Sequence, residues 1–190
     1  MIGVISEAAS SLVQTHHDLI ARLVSERKRF ENWMQLQILE RLMPEYPALE
    51  IEKPYLDGKE RCDFWSRGPS AEQWLELKLC VTNYCAAYTG NKSARPITNQ
   101  ISEIARDLEK LRRIPSDSQG YVLLLAYPLP IGEPEHPNWA DHLGKLSILA
   151  ANSERAFSVE LHRNGQQAAL NAYVFQALEA NPNITMESDT

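Results

Sequence analysis

From residue 18 to 43, apolar residues recur three and four apart, at Ile20, Leu23, Val24, Phe30, Met34, Ile38 and Leu42. That is the period of one face of a helix, so the pattern predicts a single long amphipathic helix stopped by Pro44. Pro44, Pro47 and Pro54 then punctuate a stretch in which residues 49–52 read as a strand or strand edge. Two strand-like segments follow, at 60–65 and 73–80. They are separated by a turn-forming Ser-Arg-Gly-Pro-Ser and are expected to pair as an antiparallel hairpin.

The helical period returns over 98–113, with Ile101, Ile104, Leu108 and Leu111 on one stripe and Pro115 as the stop. Residues 121–127, an unbroken apolar run between Gly120 and Pro128, predict a strand buried on both faces near the middle of a sheet. Residues 139–151 read as a helix with Trp139, Leu143, Leu146 and Ala150 on one face. In 156–162, Phe157, Val159 and Leu161 alternate inward as in a strand, and Asn164-Gly165 signals a tight hairpin. Residues 168–178 fit either a strand or a helix. The polar residues 181–190 are expected to form a loose tail after a single domain spanning 1–180.

Strand parity gives the hairpin its chemistry. Side chains two apart in a strand share a face, so Glu76 and Lys78 project together while Leu75, Leu77 and Leu79 project to the other side. On the preceding strand the same rule sets Asp63 apart from Cys62 and Phe64. If Phe64 joins the leucines, then Asp63, Glu76 and Lys78 converge. Two carboxylates, with the Leu77 carbonyl and water, form a hard oxygen set suited to Mg²⁺ or Mn²⁺. Such a metal activates water and offsets charge on a phosphoryl centre. Lys78 is placed to orient or deprotonate the attacking water, or to stabilise developing charge.

Composition leaves room for this. A chain of 190 residues that is 44% hydrophobic can bury one substantial core. The net charge of -6 argues against a polyanion partner until its distribution is considered. Residues 128–190 hold eight acids and three bases, whereas 92–113 hold six bases and three acids, so one face can still meet phosphate. Three cysteines without CxxC spacing indicate neither a zinc site nor a disulfide framework. No signal-like or membrane-length apolar run is present, and a cytoplasmic location is the expectation.

Asp63, a twelve-residue spacer and Glu76-Leu77-Lys78 resemble the bipartite motif of the PD-(D/E)XK nuclease superfamily. The resemblance implies an α/β fold, a mixed central sheet flanked by helices with a restriction-endonuclease-like αβββαβ core over about residues 18–127. It also implies a metal-dependent nuclease with DNA as the expected polymer. Family members commonly carry another acid on the helix before the motif, a role Glu31 matches. Gln100 and Lys110 on the following helix correspond to polar positions that face the site in some relatives. Cys62 stands where the motif's proline would be. The loop over 81–96 adds Lys92 and Arg95 as substrate contacts. The alternative is a module of the same fold that binds a protein partner without catalysis, its acidic C-terminal third serving that contact; a homodimer is compatible with either.

Overall fold

Residue parity along the strands sorts the apolar side chains into two cores, one on each face of a sheet. The computed structural model describes residues 1–55, 58–68, 70–90, 95–132 and 136–178. Its six strands are β1 (Glu50–Pro54), β2 (Arg61–Arg67), β3 (Glu72–Val81), β4 (Ser118–Leu129), β5 (Ala150–Arg163) and β6 (Gln166–Ala177). They lie in the order β1-β2-β3-β4-β6-β5. β3 and β4 run parallel and the other neighbours antiparallel, so the protein is α/β with a mixed sheet flanked by helices.

Helices α1 (Ile2–Thr15), α2 (His17–Ser25), α3 (Glu31–Leu42) and the short α4 (Ala86–Thr89) cover one face; α5 (Ile97–Leu111) and α6 (Pro137–Ser147) cover the other. Leu75, Leu77 and Leu79 of β3 join Leu123 and Leu125 of β4 beneath Ile5, Leu12, Ile20, Val24, Met34 and Ile38. On the opposite face Trp74, Val122, Leu124 and Phe175 pack against Ile104, Leu108, Trp139 and Leu146. β4, between β3 and β6, is central and buried on both faces, as its unbroken apolar run predicts. Asn164 (φ 50) and Gly165 (φ 72) close the β5–β6 hairpin, and 166–177 is strand throughout.

Three features depart from the expected pattern, besides the helix expected over 139–151, which ends at Ser147 so that Ala150 begins β5. The single helix over 18–43 is two helices, parted at a turn where Arg27 takes φ 54. A left-handed Arg27 cannot continue a right-handed helix, and Arg27 N–H turns back to the Val24 carbonyl (3.0 Å) and Lys28 N–H to the Leu23 carbonyl (2.8 Å) to close the end of α2. The break lets Phe30 enter the core, 4% exposed and stacked on Tyr127 at 5.2 Å. Helix α1 was not expected, although Ile5, Ala8, Ala9, Leu12 and Val13 form a buried helical stripe; four of the five are small or β-branched, which weakens the signal. Cys62 packs on the α5 face rather than beside Phe64, because regular pairing of β2 with β3 ends at Phe64↔Leu75 and the strand turns beyond it. Residues 181–190 lie outside the described residues. No described helix is long and apolar enough to cross a membrane.

Candidate active site

β3 is paired with β4 along its whole length but with β2 only over Glu72–Leu75. Past Leu75 its other edge is open, and alternate N–H groups point along it. Three side chains from three elements take them. Leu77 N–H donates to Asp63 Oδ2 (2.7 Å), Leu79 N–H to Glu31 Oε2 (3.3 Å) and Val81 N–H to Gln100 Oε1 (2.9 Å). Buried donors need partners, and here the absent strand is replaced by two carboxylates and an amide. The splaying of β2 therefore delivers Asp63 to β3, and the start of α3 delivers Glu31.

Glu76 and Lys78 rise from the α5 face of the same strand. Lys78 Nζ lies 3.0 Å from Glu76 Oε2, 3.5 Å from Asp63 Oδ2 and 3.6 Å from Asp107 Oδ2. Glu76 is only 2% exposed. Its Oε1 accepts a hydrogen bond from the Tyr55 hydroxyl (2.6 Å) and lies 3.9 Å from Lys110 Nζ. Lys110 in turn holds Asp107 Oδ1 at 2.6 Å and Glu60 Oε2 at 3.3 Å. Gln35 Nε2 donates to both the carbonyl and Oδ1 of Asp63, each at 3.2 Å.

Four carboxylates (Asp63, Glu76, Asp107, Glu31) thus surround two ammonium groups, and negative charge is in excess. Burial pushes the Glu76 carboxyl up to about 7; Asp63 and Asp107 add to the rise, while Lys78 and the Tyr55 hydroxyl oppose it. Burial likewise raises Asp63 and Glu31, against the pull of Lys78 and of the backbone N–H each accepts. Burial disfavours the charge on Lys78, but Glu76, Asp63, Asp107 and Glu31 together outweigh it and raise its pKa. These carboxylates favour the charged form of Lys78. Outside this cluster the site opens into a groove of about 540 Å³ along α5, lined also by Arg29, Arg106 and Arg113.

The residues expected to act together, Asp63, Glu76, Lys78 and Glu31, meet in one cluster, and Lys110 reaches it. Gln100 is 2% exposed, with its amide donating to the carbonyls of Val81 (2.9 Å) and Arg95 (3.1 Å). It braces the strand edge at the floor of the groove. Arg95 is held by Glu103 in a two-pronged ion pair of 2.8 and 2.5 Å and faces a second groove. Lys92 lies outside the described residues. Trp65 and Trp74 are buried against each other, with Tyr55 stacked on Trp74 at 5.4 Å, so they pack rather than present a platform.

Asp107, Gln35 and Tyr55 were not singled out from sequence. Asp107 and Gln35 had a usable signal, since Asp107 lies seven residues after Gln100 on the same helix face and Gln35 one turn after Glu31. Tyr55 had none, because its place depends on how the β1–β2 connection folds. Among the described residues no three His, Cys, Asp or Glu side chains stand ready as a metal cage. The Lys78 ammonium sits between the carboxylates instead. The donors best suited to a hard cation are Asp63, Glu76 and the Leu77 carbonyl, which shares the open edge with its own N–H. Compared with protein-family models, with curated proteins and with solved structures, the chain gives no significant match.

Proposed function

We propose that this chain is a metal-dependent phosphodiesterase of the PD-(D/E)XK type that hydrolyses nucleic acid, with DNA as the polymer the resemblance implies. The observation that carries it is the convergence of Asp63, Glu76 and Lys78, with Glu31, where β3 loses its neighbour. The order α3, antiparallel β1-β2-β3, α5, and β4 parallel to β3 supports it, being the order expected of an αβββαβ nuclease core. Free thiols at Cys62, Cys80 and Cys85 suit a reducing, cytoplasmic setting.

The donor set fits a divalent cation. Its oxygens are hard ligands, and four carboxylates against two ammonium groups leave charge for Mg²⁺ or Mn²⁺ to balance. Asp63, Glu76 and the Leu77 carbonyl would hold it. When bound, the ion supplies Lewis acidity, lowering the pKa of a water and offsetting phosphoryl charge. Lys78, 3.0 Å from Glu76 and 3.5 Å from Asp63, is placed to donate hydrogen bonds to the anionic oxygens of the phosphoryl group or to orient the attacking water. Gln35 and Tyr55 hold Asp63 and Glu76 in place, each fixing one carboxylate oxygen so that the other faces Lys78 or the strand edge. Lys110 keeps Asp107 from adding a free negative charge to the phosphate's approach.

Incubation with linear, circular and single-stranded DNA in Mg²⁺ or Mn²⁺ tests this. The wild type is expected to cut, and Glu76→Ala and Lys78→Ala to lose activity by about two to four orders of magnitude. A second function, a non-catalytic binding or regulatory module with a protein partner, is favoured by the missing ready cage among the described residues and by the net charge of -6. No cutting on any substrate, together with no metal uptake by calorimetry, would select it.

A further inference from the structure

The groove at Glu76 has a neighbour. A second depression of about 420 Å³ lies on the other side of the first turns of α5, lined by Tyr84, Arg95, Asn138, Asp141, His142 and Lys145 among others. One ion pair lies between the two: Glu103 lines the first groove and grips Arg95, which lines the second. Their chemistry differs. The first has no aromatic lining and mixes acids with bases; Arg29, Arg106 and Arg113 border it, and no guanidinium of the three makes a hydrogen bond or a direct ion pair among the described residues, although Arg29 and Arg106 lie in the field of Glu103 and Arg29 in that of Glu31. With no direct contact holding them, these guanidinium groups can turn to phosphate oxygens. The second offers an aromatic face, with Tyr84 stacked on His136 at 4.1 Å and 25°. Its rim mixes donors and acceptors, and His142, whose buried Nδ1 has no partner, belongs to it.

We propose that the two grooves form one binding track for an unpaired polynucleotide strand, in which the first holds successive phosphates and the second seats the base of a neighbouring nucleotide. The inference rests on the nuclease function for the first groove and extends it to a substrate class. A base already paired is stacked inside its duplex and cannot lay its face on Tyr84 without being pulled out. Stacking on Tyr84 is indifferent to base identity, so the track would read strandedness rather than sequence.

Fluorescence anisotropy in EDTA, where no metal supports cleavage, measures the binding directly. Affinity for single strands should climb from a dinucleotide to about a hexamer and then level off, the span of a short single-strand site. Single strands should bind at least about tenfold more tightly than a blunt duplex of equal length. Lys145→Glu, at an exposed position on the rim of the second groove, and separately Tyr84→Ser should each lower hexamer affinity about tenfold, the scale of one stacked base or of a rim contact turned repulsive. Equal or tighter duplex binding, or a hexamer affinity untouched by Lys145→Glu, would overturn the track. Hydrolysis of bis(p-nitrophenyl) phosphate, which needs only the first groove, separates the two ideas. Its absence beside length-dependent strand binding would remove the nuclease function and keep the track; its presence without length dependence would do the reverse.

Discussion

Glu76 is buried, yet its carboxylate must be ionised to hold Lys78 and any cation. Its folded-state pKa of about 7 stands above the ordinary 4.5. Between those values the folded protein binds more protons than the unfolded chain, so this residue makes stability fall as pH rises through that window. The full effect is on the order of 3 kcal/mol by the usual conversion of a pKa shift. Glu76→Gln removes the titration. In metal-free buffer, urea midpoints of wild type and variant measured from pH 5 to 8 should diverge, with the wild type losing stability relative to Glu76→Gln as pH rises. Parallel pH profiles would mean that the Glu76 carboxyl is not held high. A site that is costly to keep charged without its ligand is what a functional cluster, as opposed to a solvated face of ion pairs, is expected to show.

α5 carries Asp107 and Lys110 to the cluster and Gln100 to the strand edge, so its seat on the sheet sets the geometry of the site. That seat is tight at Gly120 of β4. A Cβ there would stand 2.8 Å from Leu111 Cβ and 3.2 Å from Ile114 Cδ1. Gly120→Ala should therefore push the C-terminal end of α5 off the sheet and cost about 1 to 3 kcal/mol, read as a lower urea midpoint. Cleavage should fall with it, since Lys110 lies one residue from Leu111. By contrast Gly144, on the outer side of α6, has no neighbour within 4 Å of an added Cβ, and Gly144→Ala should be neutral or slightly stabilising.

For the molecule as a whole, a cation that binds only the folded cluster must stabilise the fold by mass action. At a hundred times its dissociation constant Mg²⁺ would add about 2.7 kcal/mol. For a domain of this size that raises Tm by roughly 5 to 10 °C. Scanning calorimetry at pH 8 with and without Mg²⁺ should show the shift in the wild type and its loss in Glu76→Ala. An unchanged wild-type Tm would count against the metal centre. Binding of strand to the groove arginines should weaken as salt is raised, since phosphate contacts release counterions.

Local periodicity was enough to locate most strands and helices. The two-residue period placed Glu76 and Lys78 together opposite Leu75, Leu77 and Leu79, and the apolar run at 121–127 marked the central strand. It also set Asp63 on the face of Glu76 and Lys78 once Phe64 is buried with the leucines, although the splaying of β2 past Phe64 decided how Asp63 reaches the strand edge. Glu31 could be matched to a role only through family resemblance. Non-local geometry decided the rest. The break at Arg27 turns Glu31 from a mid-helix residue into the first residue of α3, aimed at the Leu79 N–H. The end of β2–β3 pairing at Leu75 opens the edge that Asp63, Glu31 and Gln100 fill. The docking of α5 adds Asp107 and Lys110, and the β1–β2 connection adds Tyr55. Strand and helix periods reflect which side of a local element meets water, and that is written along the chain. Which carboxylates share one desolvated space depends on how elements far apart in sequence are stacked, and only the packed sheet settles it.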